Sequence, residues 1–389
     1  MTDEENISFI KLCAIKDIGA ITAMRLLKHF SSPQAIFSAT KTQLMQVEKI
    51  GEKTAENIIK ERELIDVSKI IDAMNRIGAR YINFQSPIYP KLLNTLPDKP
   101  IGLYCVGECD FTAPCIAIVG SRNCSVYGQI TARRFAGAFA RAGYTVVSGM
   151  ARGIDAMAHL GAIENSGKTI AVLGSGVDVV YPPENLELYK KIIDNGSVIS
   201  EFPMGARADR QNFPIRNRLV AGMSLATLVI ESDIKGGSMI TARIAGEYGR
   251  DVFAIPGRID STMSRGCNAL IRDGAILASS PEDIIDALNF ARPVQMTLFA
   301  DEQKPAPQPA PKEDYINIAP NTPSKPKLQN LSDDEEKIFT IIKHENQIGV
   351  DKISELSQMN VKNCLPVLLM LEIKRLITKD AGGNYSVRQ

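Results

Sequence analysis

Residues Ile116-Ala117-Ile118-Val119-Gly120-Ser121-Arg122 read as a strand that stops at a glycine turn. A run rich in β-branched residues ends, a hydroxyl and a guanidinium follow, and a helical pattern begins within about ten residues. Strand, tight loop and helix in that order open a doubly wound α/β domain. Where nicotinamide-binding folds carry a second glycine, this loop carries Arg122. An arginine beside a glycine turn and a helix N-terminus suits a phosphate. No G-x-G-x-x-G follows, the next strand ends in Ser148 rather than an acid, and no G-x-x-x-x-G-K-[ST] is present. A dehydrogenase or a kinase is therefore disfavoured.

Outward from this stretch, apolar strand candidates recur at 116–119, 145–148, 169–173, 198–201, 227–231 and 252–255. Helical patterns lie between them at 128–142, 154–166, 184–194, 215–223 and 238–249. The alternation predicts a parallel sheet covered on both faces, whose ligands bind outside the C-terminal strand ends. The loops at those ends are the candidate phosphate site: Gly120, Ser121 and Arg122; Ser148, Gly149, Arg152 and Gly153; Phe213, Arg216, Asn217 and Arg218; and Lys235, Gly236, Gly237 and Ser238. Glycine loops alone are weak evidence, because every α/β turn favours one. Their coincidence with five cations is stronger. Ser238 could cap its helix, or the two glycines before it could let the backbone approach a phosphate. Arg216 and Arg218 read as first-turn residues, where the helix dipole disfavours cations unless an anion is near. Phe213 is either a core plug or a stacking platform for a base. Asp155 reads as an orienting partner or an N-cap, and His159 as packed or solvated.

The first 65 or so residues repeat at a spacing of thirty-two, Ile18-Gly19…Thr22-Ala23 matching Ile50-Gly51…Thr54-Ala55. Each copy ends a helix at a glycine and restarts one at Thr-Ala, as in a helix-hairpin-helix module. There, backbone N–H groups at a helix N-terminus can hold a DNA phosphate without reading sequence. Lys49 and Lys53 around Gly51 make the second copy the better candidate for a secondary DNA contact. The alternative is a helical packing module whose glycines only allow tight turns. Residues 293–330 contain eight prolines and read as a semi-extended linker. Beyond it, 331–389 predicts three helices and a hairpin, a winged-helix pattern. Its recognition-helix candidate carries only Lys362, Lys374 and Arg375, which favours a protein contact at least as much as DNA reading. The domain expectation is 1–80 helical, 81–292 α/β, 293–330 linker and 331–389 winged helix.

Composition narrows the classes. With 45 basic and 44 acidic residues the net charge is +1, so nucleic-acid binding must come from local patches. Seven cysteines without a C-x-x-C pair indicate free thiols in a reducing compartment. The three histidines lack metal-ligand spacing, so no metal and no cofactor is expected. The acidic start lacks a signal-peptide core, and no apolar run is long enough to cross a membrane, which together predict a cytoplasmic protein with no membrane association.

The motifs from Tyr89-Pro90 through Gly120-Ser121-Arg122, Ser148–Ala156, Tyr181-Pro182, Phe213–Arg218, Ser238…Thr241-Ala242, Pro256-Gly257 and Asn268…Gly274-Ala275 occur in an order that resembles the DNA-processing protein A family (DprA, also called Smf). The resemblance covers most of the chain. It implies an extended Rossmann-like domain that binds single-stranded DNA, forms a homodimer, and helps load the RecA recombinase in natural transformation. It implies a phosphate pocket at Gly120–Arg122 with the Gly236–Ser238 loop nearby. Many members also carry an N-terminal helical domain and a C-terminal winged-helix domain. Two departures stand out: Pro183 where some members have a basic residue, and Gly-Gly-Ser where many have Ser-Gly-Ser. The reading is a non-catalytic DNA-binding protein. The competing reading is a phosphoribohydrolase-type enzyme using Glu231, although no second acid stands at a matching spacing.

Overall fold

The computed structural model describes residues 4–16, 18–108, 110–291, 333–345, 348–374, 376–379 and 384–387. The expected linker, Arg375 and the tip of the C-terminal hairpin lie outside them. The chain forms two compact units, Met1–Leu298 and Phe299–Gln389.

The first unit begins with six helices, Glu4–Ala14, Ala20–Phe30, Pro33–Ser38, Lys41–Met45, Glu52–Leu64 and Val67–Arg76. The repeat is visible in the backbone. Gly19 and Gly51 are the N-caps of the second and fifth helices, with φ/ψ of −81/173° and −86/173°. Neither angle needs glycine, and a Cβ at either position would meet nothing within 4 Å. What glycine provides there is an uncovered helix N-terminus.

Nine strands follow: β1 (Arg80–Asn83), β2 (Gly102–Gly107), β3 (Cys115–Gly120), β4 (Thr145–Ser148), β5 (Thr169–Val172), β6 (Gly196–Ser200), β7 (Ala226–Ile230), β8 (Asp251–Ala254) and β9 (Ile276–Leu277). They form one mixed sheet in the order β1-β2-β6-β5-β4-β3-β7-β8-β9, parallel from β6 to β9. β2 runs antiparallel to β6, and β1 antiparallel to β2. The six strands expected from sequence are β3 to β8; β1, β2 and β9 are additions. Strand alternation sorts the core onto two faces. Ile116 and Ile118 pack with Phe135, Phe139 and Ala158, while Ala117 and Val119 pack with Leu219, Val220 and Ala242.

A third cluster runs without a break from Phe9, Leu26 and Ile58 of the helices to Tyr104, Met150 and Leu173 of the sheet domain. Across this seam Asn83 Nδ2 donates to Asn6 Oδ1 at 2.8 Å, and Cys13 Sγ meets Tyr81 Oη at 3.0 Å. From β3 the chain winds outward through β4, β5 and β6, then returns to β7 on the opposite side of β3. The crevice between the C-terminal ends of β3 and β7 is therefore the topological switch point, where open α/β sheets bind ligands.

The second unit has helices Asp333–Glu345, Val350–Ser357 and Val361–Ile373. A three-stranded antiparallel sheet joins Ile348–Gly349, Asn384–Val387 and Ile377–Lys379. Ile338, Ile353, Leu368 and Tyr385 form its core. This is a winged helix. Lys374 is not a free cation, because its Nζ bonds buried Glu335 at 2.7 Å.

Candidate nucleic-acid interface

A cavity of 650 Å3 opens at the switch point between the loops after β3 and β7. Gly120 closes β3 against β7; a Cβ there would collide with the Ile230 carbonyl and the Ile154 side chain. Ser121 N donates to Glu231 O at 2.7 Å, and Ser121 O accepts from Ile154 N at 3.2 Å. The loop is thus clamped between β7 and the helix Ile154–Glu164. Arg122 projects beyond it and lies over the Phe213 ring, 5.3 Å from its centroid. Tyr181 packs on the same ring at 5.6 Å, tilted by 37°.

The loop after β4 forms the floor. Asp155 is buried and accepts from Gly149 N at 3.2 Å and Ala151 N at 3.4 Å. Burial pushes its carboxyl up, opposed by Arg216. Gly153 has φ of +73°, a left-handed conformation that favours glycine, and a Cβ there would strike the Ser121 carbonyl. Gly149 leaves space that the Arg216 guanidinium occupies. Arg216 is 5% exposed, sits 4.0 Å from Asp155 Oδ2, and its Nε has no hydrogen-bond partner among the described residues. Burial pulls its pKa down. A buried guanidinium whose nearest carboxylate is 4.0 Å away favours a further anion beside it.

The opposite wall is the helix Gly237–Glu247. Its N-cap is Gly236, which makes no side-chain cap. The Ser238 cap considered from sequence is not formed, because Ser238 Oγ instead donates to Ser232 Oγ at 2.7 Å. Gly236, Gly237 and Ser238 all line the cavity, with Asn217. Its positive helix end faces the same space as Arg122 and Arg216. Arg210 also lines it and was missed in the sequence. A cation shortly before Phe213, at the same strand end as Arg216, was the available signal.

Other expected residues stand apart. Ser148 is buried and donates to Ile118 O at 2.6 Å, so it braces β3 rather than facing the cavity. Lys235 is exposed and does not line the cavity. Arg152 is exposed and paired with Glu184. The helix carrying Arg216 spans Asn212–Gly222, so neither Arg216 nor Arg218 is in its first turn, and the dipole argument from sequence does not apply. Arg218, two residues on and about 200° round the helix, points the other way. It pairs with Glu201 and lies 3.7 Å from Asp98, beside a 340 Å3 cavity shared with Gly19 of the first hairpin. Burial pushes Glu201 up to about 7 against the pull of Arg218. Glu231 bonds Ser125 N at 2.7 Å and Ser125 Oγ, serving the N-terminus of the helix Val126–Arg141. His159 is buried, 2.7 Å from Thr169 Oγ1.

At the second hairpin Gly51, Lys49 and Lys53 are exposed. Lys49 lies 3.8 Å from Glu48, and Lys41 bridges Glu52 and Glu56 at 2.6 Å each. Among the described residues no cluster of His, Cys, Asp and Glu could hold a metal, and no helix is long and apolar enough to cross a membrane.

A doubly wound domain with a cation-lined switch point, joined to a helix-hairpin-helix pair and a winged helix, defines a class of nucleic-acid-handling protein. Residues 80–289 match the family model for DNA recombination-mediator protein A, residues 9–70 a SAM-like helix-hairpin-helix tandem, and residues 322–383 the DprA winged helix domain. The chain belongs to the DprA/Smf family. Protein Smf of Synechocystis sp. is 32% identical over 401 residues, covering 100% of both chains. DNA processing protein DprA of Streptococcus pneumoniae is 41% identical over 203 residues, 52% of this chain and 72% of that one. The X-ray structure of the Streptococcus pneumoniae DprA superposes with a TM-score of 0.65 at 30% identity, covering 74% of this chain and 98% of that one. The DprA of Helicobacter pylori, described as having a unique single-stranded DNA binding mode, gives 0.50 at 31% identity, covering 54% and 96%.

Proposed function

We propose that this protein binds single-stranded DNA, taking a backbone phosphate between Gly120–Arg122, Arg216 and the uncapped helix end at Gly236–Ser238. The observation that carries the reading is Arg216: a buried guanidinium at the edge of a cavity that a second arginine and a helix N-terminus without a side-chain cap also line. A phosphodiester in this cavity pairs with the guanidinium groups of Arg122 and Arg216 that line it. Phe213 and Tyr181 offer ring surface to an unpaired base, which favours single over double strands. Gly149, Gly153 and Ser148 act by shaping the floor. Arg152 and Lys235 extend the basic rim, Arg218 braces the domain seam, and Lys49, Gly51 and Lys53 offer a second, weaker phosphate contact.

In the cell the protein hands the strand to the RecA recombinase during natural transformation, as a cytoplasmic homodimer, without a cofactor. The working boundaries are 1–80, 81–292, 293–330 and 331–389. The reaction class is binding rather than catalysis, a reading supported by Glu231, whose two carboxylate oxygens accept from Ser125 at a helix N-terminus. Fluorescence anisotropy with single- and double-stranded oligonucleotides over a salt series tests the reading. Tighter, salt-sensitive binding of the single strand is expected. Equal affinity for both, or release of free base from nucleoside monophosphates that stops in Glu231→Gln, would overturn it.

A further inference from the structure

A second cavity of 250 Å3 lies behind the wall formed by Arg122, Phe213 and Tyr181. It shares that wall and Arg216 with the larger cavity, and adds Arg152 and Asn123. Three guanidinium groups line it and no carboxylate does. Its volume is below the roughly 300–1,000 Å3 that a whole small ligand occupies, so it suits one unit of a longer chain. The electrostatics select an anionic unit, and the shared wall makes that unit a neighbour of whatever fills the larger cavity.

Arg216 has the buried Asp155 4.0 Å away, and Arg152 is held by a carboxylate at the surface. Arg152 bonds Glu184, which stands on the short turn Pro183–Asn185 directly after Tyr181-Pro182. Both side chains are partly in solvent, 62% and 47% exposed. An exposed pair of this kind is weak and is screened by salt. A carboxylate on a guanidinium makes the same charge-assisted hydrogen bonds that a phosphodiester makes. We propose that the smaller cavity receives the next phosphate along the strand, and that Glu184 is its built-in competitor, holding Arg152 until a backbone phosphate displaces it. This rests on the larger cavity binding a strand phosphate. In this arrangement Glu184 sets the affinity and limits binding of short anions that cannot fill both cavities.

The test is a double-mutant cycle on the full chain, read by anisotropy with an oligothymidylate at low and moderate salt. Glu184→Gln should bind about two- to fivefold more tightly, the range an exposed ion pair spans. Arg152→Gln should bind more weakly, and Glu184→Gln should have no effect in the Arg152→Gln background. An unchanged affinity in Glu184→Gln overturns the proposal. So does an equal gain in both backgrounds, which would mean that Glu184 acts only through the general field. Gly237→Ala, at a residue that lines only the larger cavity, separates the two readings. If Gly237→Ala weakens binding while the cycle is additive, only the competitor role fails. If Gly237→Ala binds like the wild type, the larger cavity is not the phosphate site and both readings fail.

Discussion

Arg216 and Arg218 are two residues apart, and the structure gives them different work. Arg216 faces the cavity with Arg122, whereas Arg218 holds Glu201 and Asp98 at the domain seam. Arg122→Ala should weaken single-stranded DNA binding by about 1–3 kcal/mol with an unchanged melting temperature, since one charge-assisted contact is lost. Arg218→Met should do the reverse. It leaves Glu201 without its partner, so the acid is driven toward its neutral form and stability falls by about 1–3 kcal/mol, while the folded fraction binds DNA normally. Anisotropy and thermal melting on the same samples check both. His159 sets a pH dependence. Burial lowers its pKa from 6.5 to about 3, so the native state keeps it neutral while the unfolded chain protonates it. Its contribution is complete above pH 6.5 and falls by about 1.4 kcal/mol per unit as pH drops from there toward 3. The loss of melting temperature between pH 7 and pH 5 should therefore be smaller in His159→Gln than in the wild type.

Among the elements, the helix Gly237–Glu247 offers the sharpest test of where the phosphate sits. A Cβ on Gly237 meets nothing within 4 Å, and its backbone does not need glycine. Gly237→Ala should therefore keep or raise stability, by about 0.4–1 kcal/mol. It should still lose about threefold or more in DNA affinity, because a methyl group intrudes where the phosphate approaches the first-turn N–H groups. Wild-type affinity in this variant would show that the strand does not reach this helix end. The same elements show what the sequence made legible. β3 to β7 are buried on both faces along almost their whole length, so each appears as an apolar run, and β8 adds the buried pair Phe253-Ala254. β1 has only four residues at an edge, and β9 is a pair of exposed residues, so neither leaves a periodic signal. Pro214 lies inside the first turn of its helix, where proline is tolerated. Taking it to precede the helix shifted the helix start and hid the opposite directions of Arg216 and Arg218. The glycine loops and Arg122 were readable because backbone need and charge fall on adjacent residues. The aromatic stack of Tyr181 on Phe213 was not, because it joins residues thirty-two positions apart.

The whole molecule divides unevenly. The winged helix is a separate compact unit. Deleting residues 295–389 should leave DNA affinity within about threefold of the full chain, because the candidate site lies wholly in the first unit and linkers of this composition decouple what they join. A tenfold loss in the same anisotropy assay would assign the tail a direct share in binding. The helical repeat is different, since its hydrophobic interior is continuous with that of the sheet domain. The first hairpin is turned toward the Arg218 cavity, and the second stays exposed. If the second hairpin holds a phosphate as proposed, that shared interior makes the molecule a gauge. Two grips held at a fixed offset can be spanned only by a strand above a threshold length, and below it the second grip contributes nothing. Affinity plotted against oligonucleotide length should then climb in a step rather than a slope. Replacing Lys49 and Lys53 with glutamine should remove the step and leave the short-oligonucleotide plateau where it was.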